Sequence, residues 1–383
     1  MPLSLLPLLQ ISVALDAQAD TVGTGLCAQD VGTTSGVTVA DNGDGTCTLT
    51  FTATGSQNTW TIPSGGLTNV SFDMKGARGT FGLSGRRLTG VIGSLTEGEV
   101  LTIQVGETLA SGDTGSAFPN GGRSTSGSGY GGGGATQVIR SGARVLVAGG
   151  GGGGGRDGFV AGTWNGGDAS NTAGGSAGVG RISCSPGPQS GRGASDSRTP
   201  LGLGGSTGVR GSGAGGGGYA GGGGGAKDSN TSCNIDNHGG YGGRGSSFAD
   251  PTFVTSSTDG LGDTGEGQLS FTFSAPTSEV SIQPVGGQVG AVLPTQPQVK
   301  LTNADGSDAS GVTVTAALDT TPTPSGTQIT PVLDGTLTAT TDASGIAVFS
   351  DLAIRGPTTG DYTLTFTADD FPDATSSTFT LTV

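Results

Sequence analysis

Apolar and polar residues alternate with a period of two in short runs along much of this 383-residue chain. Such alternation indicates half-buried β-strands, because successive side chains of a strand point to opposite faces of a sheet. Turn residues separate the runs, which is typical of an antiparallel sandwich or a jelly roll. In the first 275 residues the runs lie at 36–39, 46–52, 58–63, 69–75, 88–92, 100–105 and 267–273.

The first two runs flank a turn sequence with Asn-Gly and Asp-Gly pairs at 42–45, which predicts a β-hairpin. Asp41, Asn42 and Asp44 also resemble part of a calcium loop. The spacing lacks the ligand ladder and terminal Glu of an EF-hand, so a turn is favoured. Among the aromatic residues of these runs, Trp60 and Phe72 are the expected core residues.

Glycine interrupts this pattern between residues 121 and 245, in runs at 131–134, 149–155, 215–218 and 221–225. Val145–Val147, between the first two runs, is typical of a buried strand. A flexible linker would use glycine and serine without bulky anchors. Here aromatic residues interrupt the glycines at ordered places: Tyr130, Phe159, Trp164, Tyr219 and Tyr241. We therefore expect packed backbone, in the form of left-handed polyglycine-II helices with three residues per turn.

The chain changes character at residue 279, where glycine becomes scarcer and Thr/Val alternation dominates. Seven such runs predict an immunoglobulin-like β-sandwich over residues 279–383. The expected fold is therefore all-β. It consists of an N-terminal disulfide-linked hairpin region (20–55), a jelly-roll-like sandwich with an inserted polyglycine-II bundle (56–274), and the immunoglobulin-like sandwich. The seven runs lie at 280–285, 298–302, 312–316, 335–340, 346–349, 361–367 and 377–383.

Residues 1–19 predict a secretory signal peptide, with an apolar core followed by the small-residue pattern Ala17-Gln-Ala19. The positively charged start of such a peptide is missing, and a buried N-terminal strand is the alternative. The apolar run is too short to span a membrane, so no membrane insertion is expected. These features predict a secreted or cell-surface protein, of bacterial origin by the resemblance described below.

Four cysteines in an exported chain indicate two disulfides. Three connectivities are possible, and pairing within each sequence region is favoured: Cys27 with Cys47, and Cys184 with Cys233. Metal binding is the rival interpretation, but there is no CxxC spacing and a single His in the chain.

The charge balance of the chain argues against two classes of binding partner. The chain carries 30 Asp and Glu against 16 Lys and Arg, giving a net charge of -14. This balance argues against nucleic-acid binding, which needs clustered cations to neutralise phosphate. It disfavours anionic membrane surfaces for the same reason.

The sequence offers little catalytic chemistry. The single histidine, His238, lies in a glycine-rich loop, and there is no G-x-S-x-G elbow for a hydrolytic triad. A dinucleotide-like match at 127–132 is expected by chance among so many glycines. We predict no catalytic, cofactor or metal residues. Calcium remains open at the aspartates of the C-terminal part, where solvated turns are favoured: Asp305, Asp308, Asp369, Asp370 and Asp373.

Seven segments follow one another in residues 50–273: TWTIPSG, VSFDMKGARG, EGEVLTIQVGE, GYGGGGATQVIRSGARVLVAGGGGG, GGGGYAGGGGG, GGYGGRGSSFADP and GEGQLSFTF. This order of motifs resembles the glycine-rich domain of bacterial exported proteins. That domain is similar to the extracellular glycine-rich region of the anaplastic lymphoma kinase and leukocyte kinase receptors. The resemblance implies a jelly roll with inserted polyglycine helices, and it carries over no catalytic motif. Residues 279–383 resemble the immunoglobulin-like repeats of bacterial surface proteins and adhesins. The segments that match these repeats are QVKLTNADG, TDASGIAVFSDL and GDYTL.

Together these features predict a non-enzymatic extracellular structural or adhesion protein that binds a cell-surface glycan or protein. The candidate binding loops contain Phe159, Trp164, Tyr241 and Phe248, where aromatics interrupt glycine. The alternative is that these aromatics cap the helix bundle. Other functions left open are a phage-type receptor-binding adhesin, an ice-binding protein and a polysaccharide-active enzyme.

Overall fold

In the part of the chain that the structure describes, the fold is all-β, with antiparallel sheets and no α-helix. This structure is a computed structural model, and it describes residues 20–23, 27–110, 117–123, 130–155, 203–204, 213–225, 241–319, 331–356 and 359–383. Several predicted features lie outside these residues: the signal peptide (1–19), Phe159, Trp164, Cys184, Cys233 and His238.

Two sheets build the glycine-rich part. The seven-stranded sheet has the order β1-β2-β5-β8-β9-β10-β11, and the six-stranded sheet has the order β12-β7-β6-β13-β4-β3. The strands are β1 Asp20–Val22, β2 Gln29–Val31, β3 Val37–Asp41, β4 Thr46–Thr52, β5 Gln57–Thr61, β6 Leu67–Lys75, β7 Arg86–Leu95, β8 Val100–Gln104, β9 Thr136–Arg140, β10 Ala143–Ala148, β11 Phe248–Ala249, β12 Val254–Leu261 and β13 Gln268–Ser274.

The predicted hairpin is confirmed, since β3 pairs with β4 in antiparallel fashion. Its turn is held by carboxylates: Asp41 Oδ1 accepts from the Gly43 amide at 2.8 Å, and Asp44 Oδ1 accepts from the Thr46 hydroxyl at 2.6 Å. The Thr46 hydroxyl bond is the main cause that lowers the pKa of Asp44. Residues 20–55 contribute strands to both sheets, so the hairpin shares the core of residues 56–274.

The two sheets pack face to face around Trp60, as expected for a β-sandwich. The Trp60 side chain on β5 is fully buried, and its ring centre lies 4.8 Å from Phe271 and 5.7 Å from Phe273 on β13. Its indole N–H donates to Gln29 Oε1 at 2.9 Å. Phe72 is also buried, so both predicted core aromatics are confirmed.

The disulfide predicted between Cys27 and Cys47 is present, with 5.6 Å between the two Cα atoms. Cys27 immediately precedes the β2 region in the seven-stranded sheet, whereas Cys47 lies in β4 of the six-stranded sheet. The bond therefore covalently links the two layers of the sandwich.

We expect the double variant Cys27→Ala, Cys47→Ala to lower the unfolding free energy by about 3 kcal/mol, since the bond closes a loop across 20 residues. The corresponding fall in Tm is roughly 5–10 °C. Calorimetry of the variant measures this fall. A reducing agent added to the variant shows separately how much a bond between the two other cysteines contributes to Tm. An unchanged Tm in the variant would contradict the stabilising role.

The glycine segment 149–155 is buried along its whole length and contacts neighbours through backbone alone. Its hydrogen bonds recur every third residue. Gly150 and Gly153 donate to Gly217 and Ala214 at 2.7 Å each, while Gly151 and Gly154 donate to Ala77 and Thr80 at 2.8 and 2.9 Å. The carbonyls of Gly150 and Gly153 accept from Gly245 and Gly242, both at 2.9 Å. These bonds tie the segment to three others, and they satisfy backbone groups that would be costly to bury unpaired.

Glycine is required in this segment for space. A Cβ built on Gly149, Gly150, Gly151, Gly152 or Gly153 would lie well inside 3.0 Å of a carbonyl oxygen of a neighbouring segment, a separation that Cβ atoms essentially never show. None of these five glycines has the positive φ that would itself demand glycine. The segments therefore approach too closely for any side chain, and the linker interpretation of these glycines is excluded.

Residues 277–383 form a second set of antiparallel sheets with its own core. The sheets have the orders β14-β15-β19, β18-β16-β21-β22 with β23 beside β21, and β17-β20. The described residues contain strands at all seven predicted runs and three short additional ones, β17, β20 and β22. The strands are β14 Thr277–Ile282, β15 Gln298–Thr302, β16 Thr313–Asp319, β17 Val332–Asp334, β18 Thr338–Thr340, β19 Ile346–Val348, β20 Ala353–Arg355, β21 Gly360–Thr367, β22 Ala374–Thr375 and β23 Phe379–Leu381.

Candidate binding surface

The outer face of the seven-stranded sheet carries an ordered row of amide side chains. Trp60, Leu101, Val138 and Leu146 point into the core, so residues one or three positions from them along a strand lie on the opposite face, except at the bulge between Arg144 and Leu146. Strand register aligns five of these outward residues across β5, β8, β9, β10 and β11. We call them the glutamine row: Gln57, Gln104, Gln137, Val147 and Phe248.

The three glutamines form a directed chain of hydrogen bonds. Gln137 Nε2 donates to Gln104 Oε1, and Gln104 Nε2 donates to Gln57 Oε1 at 3.3 Å. Gln57 is exposed, Gln104 is half-buried and Gln137 is buried. The row is thus open to solvent at Gln57 and Gln104, buried at Gln137 and Val147, and partly exposed again at Phe248.

A second outward row runs beside the first. Register aligns Thr59, Thr102, Ile139 and Arg144 across β5, β8, β9 and β10. All four side chains are half-buried. Together the two rows contain three amides, two hydroxyls and three apolar side chains, those of Ile139, Val147 and Phe248. Arg144 is their single charged residue.

An aromatic wall closes the β11 end of both rows. The ring of Tyr219 stacks on Phe248, with centres 4.1 Å apart and planes at 15°. Tyr219 keeps 36% of its surface exposed. The Arg144 guanidinium lies 5.1 Å from the Tyr219 ring centre and donates to the carbonyl of Gly218 at 2.9 Å. Partial burial lowers the pKa of Arg144, and the interaction with Tyr219 partly opposes that effect.

A second aromatic pair lies elsewhere on the glycine segments. Phe81 is 61% exposed, and its ring centre lies 5.0 Å from that of Tyr130. The backbone of Phe81 has φ of 46°, a conformation that is strained for a bulky residue. Such strain is most often kept where a side chain has a function, so this pair is a second place where a ligand ring could stack.

The predicted loop residues divide between described and undescribed parts of the chain. Tyr241 is half-buried and begins the segment whose Gly242 donates to Gly153. Phe248 lies on strand β11 within the aromatic wall. Phe159 and Trp164 lie outside the described residues, so their binding role stays a prediction.

Sequence reasoning missed Arg144, the glutamine row and Phe81. The polar positions of alternating runs were visible in the sequence at 57–61 and 100–104, but which of them align depends on strand order. Phe81 had a visible signal of its own, since it stands as a single aromatic between Gly79 and Gly82.

A cavity of about 420 Å³ lies between the sandwich and the C-terminal sheets. Three carboxylates are among its lining residues: Asp30, Glu97 and Asp370. Asp30 Oδ1 accepts from the Thr21 hydroxyl at 3.2 Å, and Glu97 Oε2 accepts from the Gly65 amide at 3.2 Å. Two of these carboxylates therefore brace the strand pair β1–β2 and the turn at Gly65.

Some charged side chains elsewhere in the described residues form ion pairs. Lys75 Nζ lies 2.6 Å from Asp263 on the six-stranded sheet, and its hydrogen bond is the main cause that lowers the pKa of Asp263. Within the described ranges, no group of three or more His, Cys, Asp or Glu side chains is arranged to hold a metal ion. The same residues include no helix that is long and apolar enough to cross a membrane.

Comparison with known proteins adds no relative. No protein-family model matches the chain, and a search of the curated proteins gives no significant match.

Proposed function

We propose that the protein is a non-enzymatic extracellular adhesion module, in which packed glycine backbone holds a binding surface rigid. The Cys27–Cys47 disulfide supports an extracellular location, because such bonds persist in oxidising compartments. The proposed partner is a cell-surface glycan or protein.

We further propose that the glycine segments are a polyglycine-II bundle inserted into a jelly roll. The three-residue period of the hydrogen bonds made by residues 149–155 supports this, since polyglycine-II helices have three residues per turn. The C-terminal sheets, which share one apolar core, support an immunoglobulin-like sandwich. The relation to bacterial exported glycine-rich domains, and through them to the receptor kinases, is part of the same proposal.

The observation that carries the proposed adhesion is the way in which the aromatic wall is fixed to the scaffold. The Tyr219 amide donates to the Ser246 carbonyl at 3.0 Å, and Arg144 holds the carbonyls of Gly218 and Tyr219 at 2.9 and 3.3 Å. An exposed ring held in this way loses little conformational entropy on binding. Tyrosine and arginine are also the residue types that most often dominate binding energy.

We expect Tyr219→Ala to weaken adhesion to target cells about tenfold, a typical loss for an aromatic anchor. Binding of labelled protein to a panel of cell surfaces and a glycan array measures the effect. Phe81→Ala tests the rival aromatic pair in parallel, because Phe81 is the exposed aromatic of that pair. Equal affinity in wild type and Tyr219→Ala, with a loss in Phe81→Ala, would move the contact surface to the second pair. Failure of the wild type to bind any surface would refute the adhesion function.

A further inference from the structure

We propose that the glutamine row and the row beside it form a binding site for an uncharged glycan chain, which lies across the strands and ends against Tyr219. This inference rests on the proposed adhesion function and names the chemical class of its ligand.

The side-chain chemistry of the two rows fits sugar hydroxyls. An amide offers both a donor and an acceptor, and a threonine hydroxyl does the same, so both match the hydroxyls of a sugar ring. Gln57, Gln104, Thr59 and Thr102 supply these groups on partly or fully exposed positions. The two rows contain no carboxylate, and their one cation, Arg144, is already engaged by two carbonyls. A cationic ligand would find no carboxylate in the two rows, and an anionic ligand would find only this engaged guanidinium.

The dimensions fit an extended ligand. Four adjacent strands carry the second row, whose side chains all stay half-buried from Thr59 to Arg144. Strands in a sheet lie about 4.8 Å apart, so this open part of the floor is roughly 14 Å long. The sheet forms a floor, and the Tyr219–Phe248 stack stands at its end. Ligand sites commonly combine an aromatic surface with a few placed polar groups, which is the arrangement here.

An unsatisfied acceptor marks the covered end of the row. Gln137 has only 4% of its surface exposed, and its Oε1 has no hydrogen-bond partner within the described structure. The other buried side-chain polar atom of this kind in those residues is Ser247 Oγ, next to Phe248 in sequence. Buried polar atoms are normally paired, and an unpaired one requires an explanation. A ligand hydroxyl inserted beside the aromatic wall would supply the missing donor to Gln137.

Binding of oligosaccharides to the full chain tests the proposal by titration calorimetry. The probes are neutral oligomers of glucose, mannose, xylose and N-acetylglucosamine, with oligogalacturonate as the charged comparison. We expect at least one neutral oligomer to bind, with an affinity that does not fall as salt is raised. The double variant Gln57→Ala, Gln104→Ala should lower that affinity at least tenfold, as should Gln137→Leu, which removes the unpaired acceptor.

The control is Thr50→Ala, Thr272→Ala on the outer face of the six-stranded sheet, where Thr50 bonds across the strands to Ser270 and Thr272 bonds to Thr48. This variant should bind like the wild type, and melting curves should show all variants folded. Binding of the charged oligomer alone, or of neutral oligomers equally to wild type and both glutamine variants, overturns the proposal. Cell adhesion that needs Tyr219 but not the glutamines overturns the glycan site and leaves the adhesion function standing. Oligosaccharide binding without cell adhesion overturns the adhesion function and leaves the glycan site standing.

Discussion

Gly152→Val is expected to abolish the cooperative folding of the glycine-rich part. A Cβ at this position would fall on the carbonyl of Gly242, and Gly152 lies within a segment bonded on several sides. Backbone cannot move aside as a flexible side chain can, so the neighbouring segments must separate. Segments that separate leave backbone amides without hydrogen-bond partners. Each such group that stays buried costs about 1–3 kcal/mol. Circular dichroism and tryptophan fluorescence during thermal unfolding measure the loss.

Gly260→Val is the matched control. Gly260 lies on the edge strand β12, where a Cβ would meet nothing within 4 Å. Valine also suits a strand better than glycine does. We therefore expect its Tm to stay within about 2 °C of the wild type. A cooperative and unshifted melt in Gly152→Val would contradict the close backbone packing of the glycine run.

Trp60→Ala is expected to cost roughly 3–5 kcal/mol of unfolding free energy, the usual range for removing a large aromatic from a core. Trp60 is fully buried and contacts Phe271 and Phe273 across the sandwich. The Tm should fall by roughly 10 °C or more. Urea unfolding followed by circular dichroism gives the free energy directly.

Trp60→Phe separates packing from hydrogen bonding. It keeps a ring in the core but leaves the Gln29 Oε1 acceptor without its indole donor, and Gln29 is itself buried. We expect a smaller loss of about 1–3 kcal/mol for that unpaired group. If both variants lose the same free energy, the hydrogen bond and not the ring packing would dominate at this site.

Local pattern was enough to predict most strands. Alternation placed the hairpin β3–β4, the core residue Trp60 and the returning strand β13, because the period of two reflects a property of each strand by itself. Pairing within a region also gave the Cys27–Cys47 bond. Strands β1, β2 and β11 escaped prediction because they have only two or three residues. Strand β12 escaped because it lies at a sheet edge and its side chains are mostly exposed.

The candidate site depended on long-range order. Gln57, Gln104 and Gln137 are far apart in the sequence, and they meet because β5, β8 and β9 are neighbours in the sheet. A register shift of one residue would turn each glutamine toward the opposite face. The sequence contained no signal for this register, nor for the position of Tyr219 over Phe248 on strand β11.

By itself, the sequence determined that the chain is all-β, where its main strands lie and which aromatics fill the core, since these follow from local alternation. It also showed that aromatic residues interrupt the glycine runs at ordered places, which is not typical of a flexible linker. Only the tertiary structure decided why each position in 149–154 must be glycine, because the reason is a carbonyl on another segment that occupies the place of its Cβ. The same holds for the glutamine row, since a surface built across five strands exists only when the strand order is fixed.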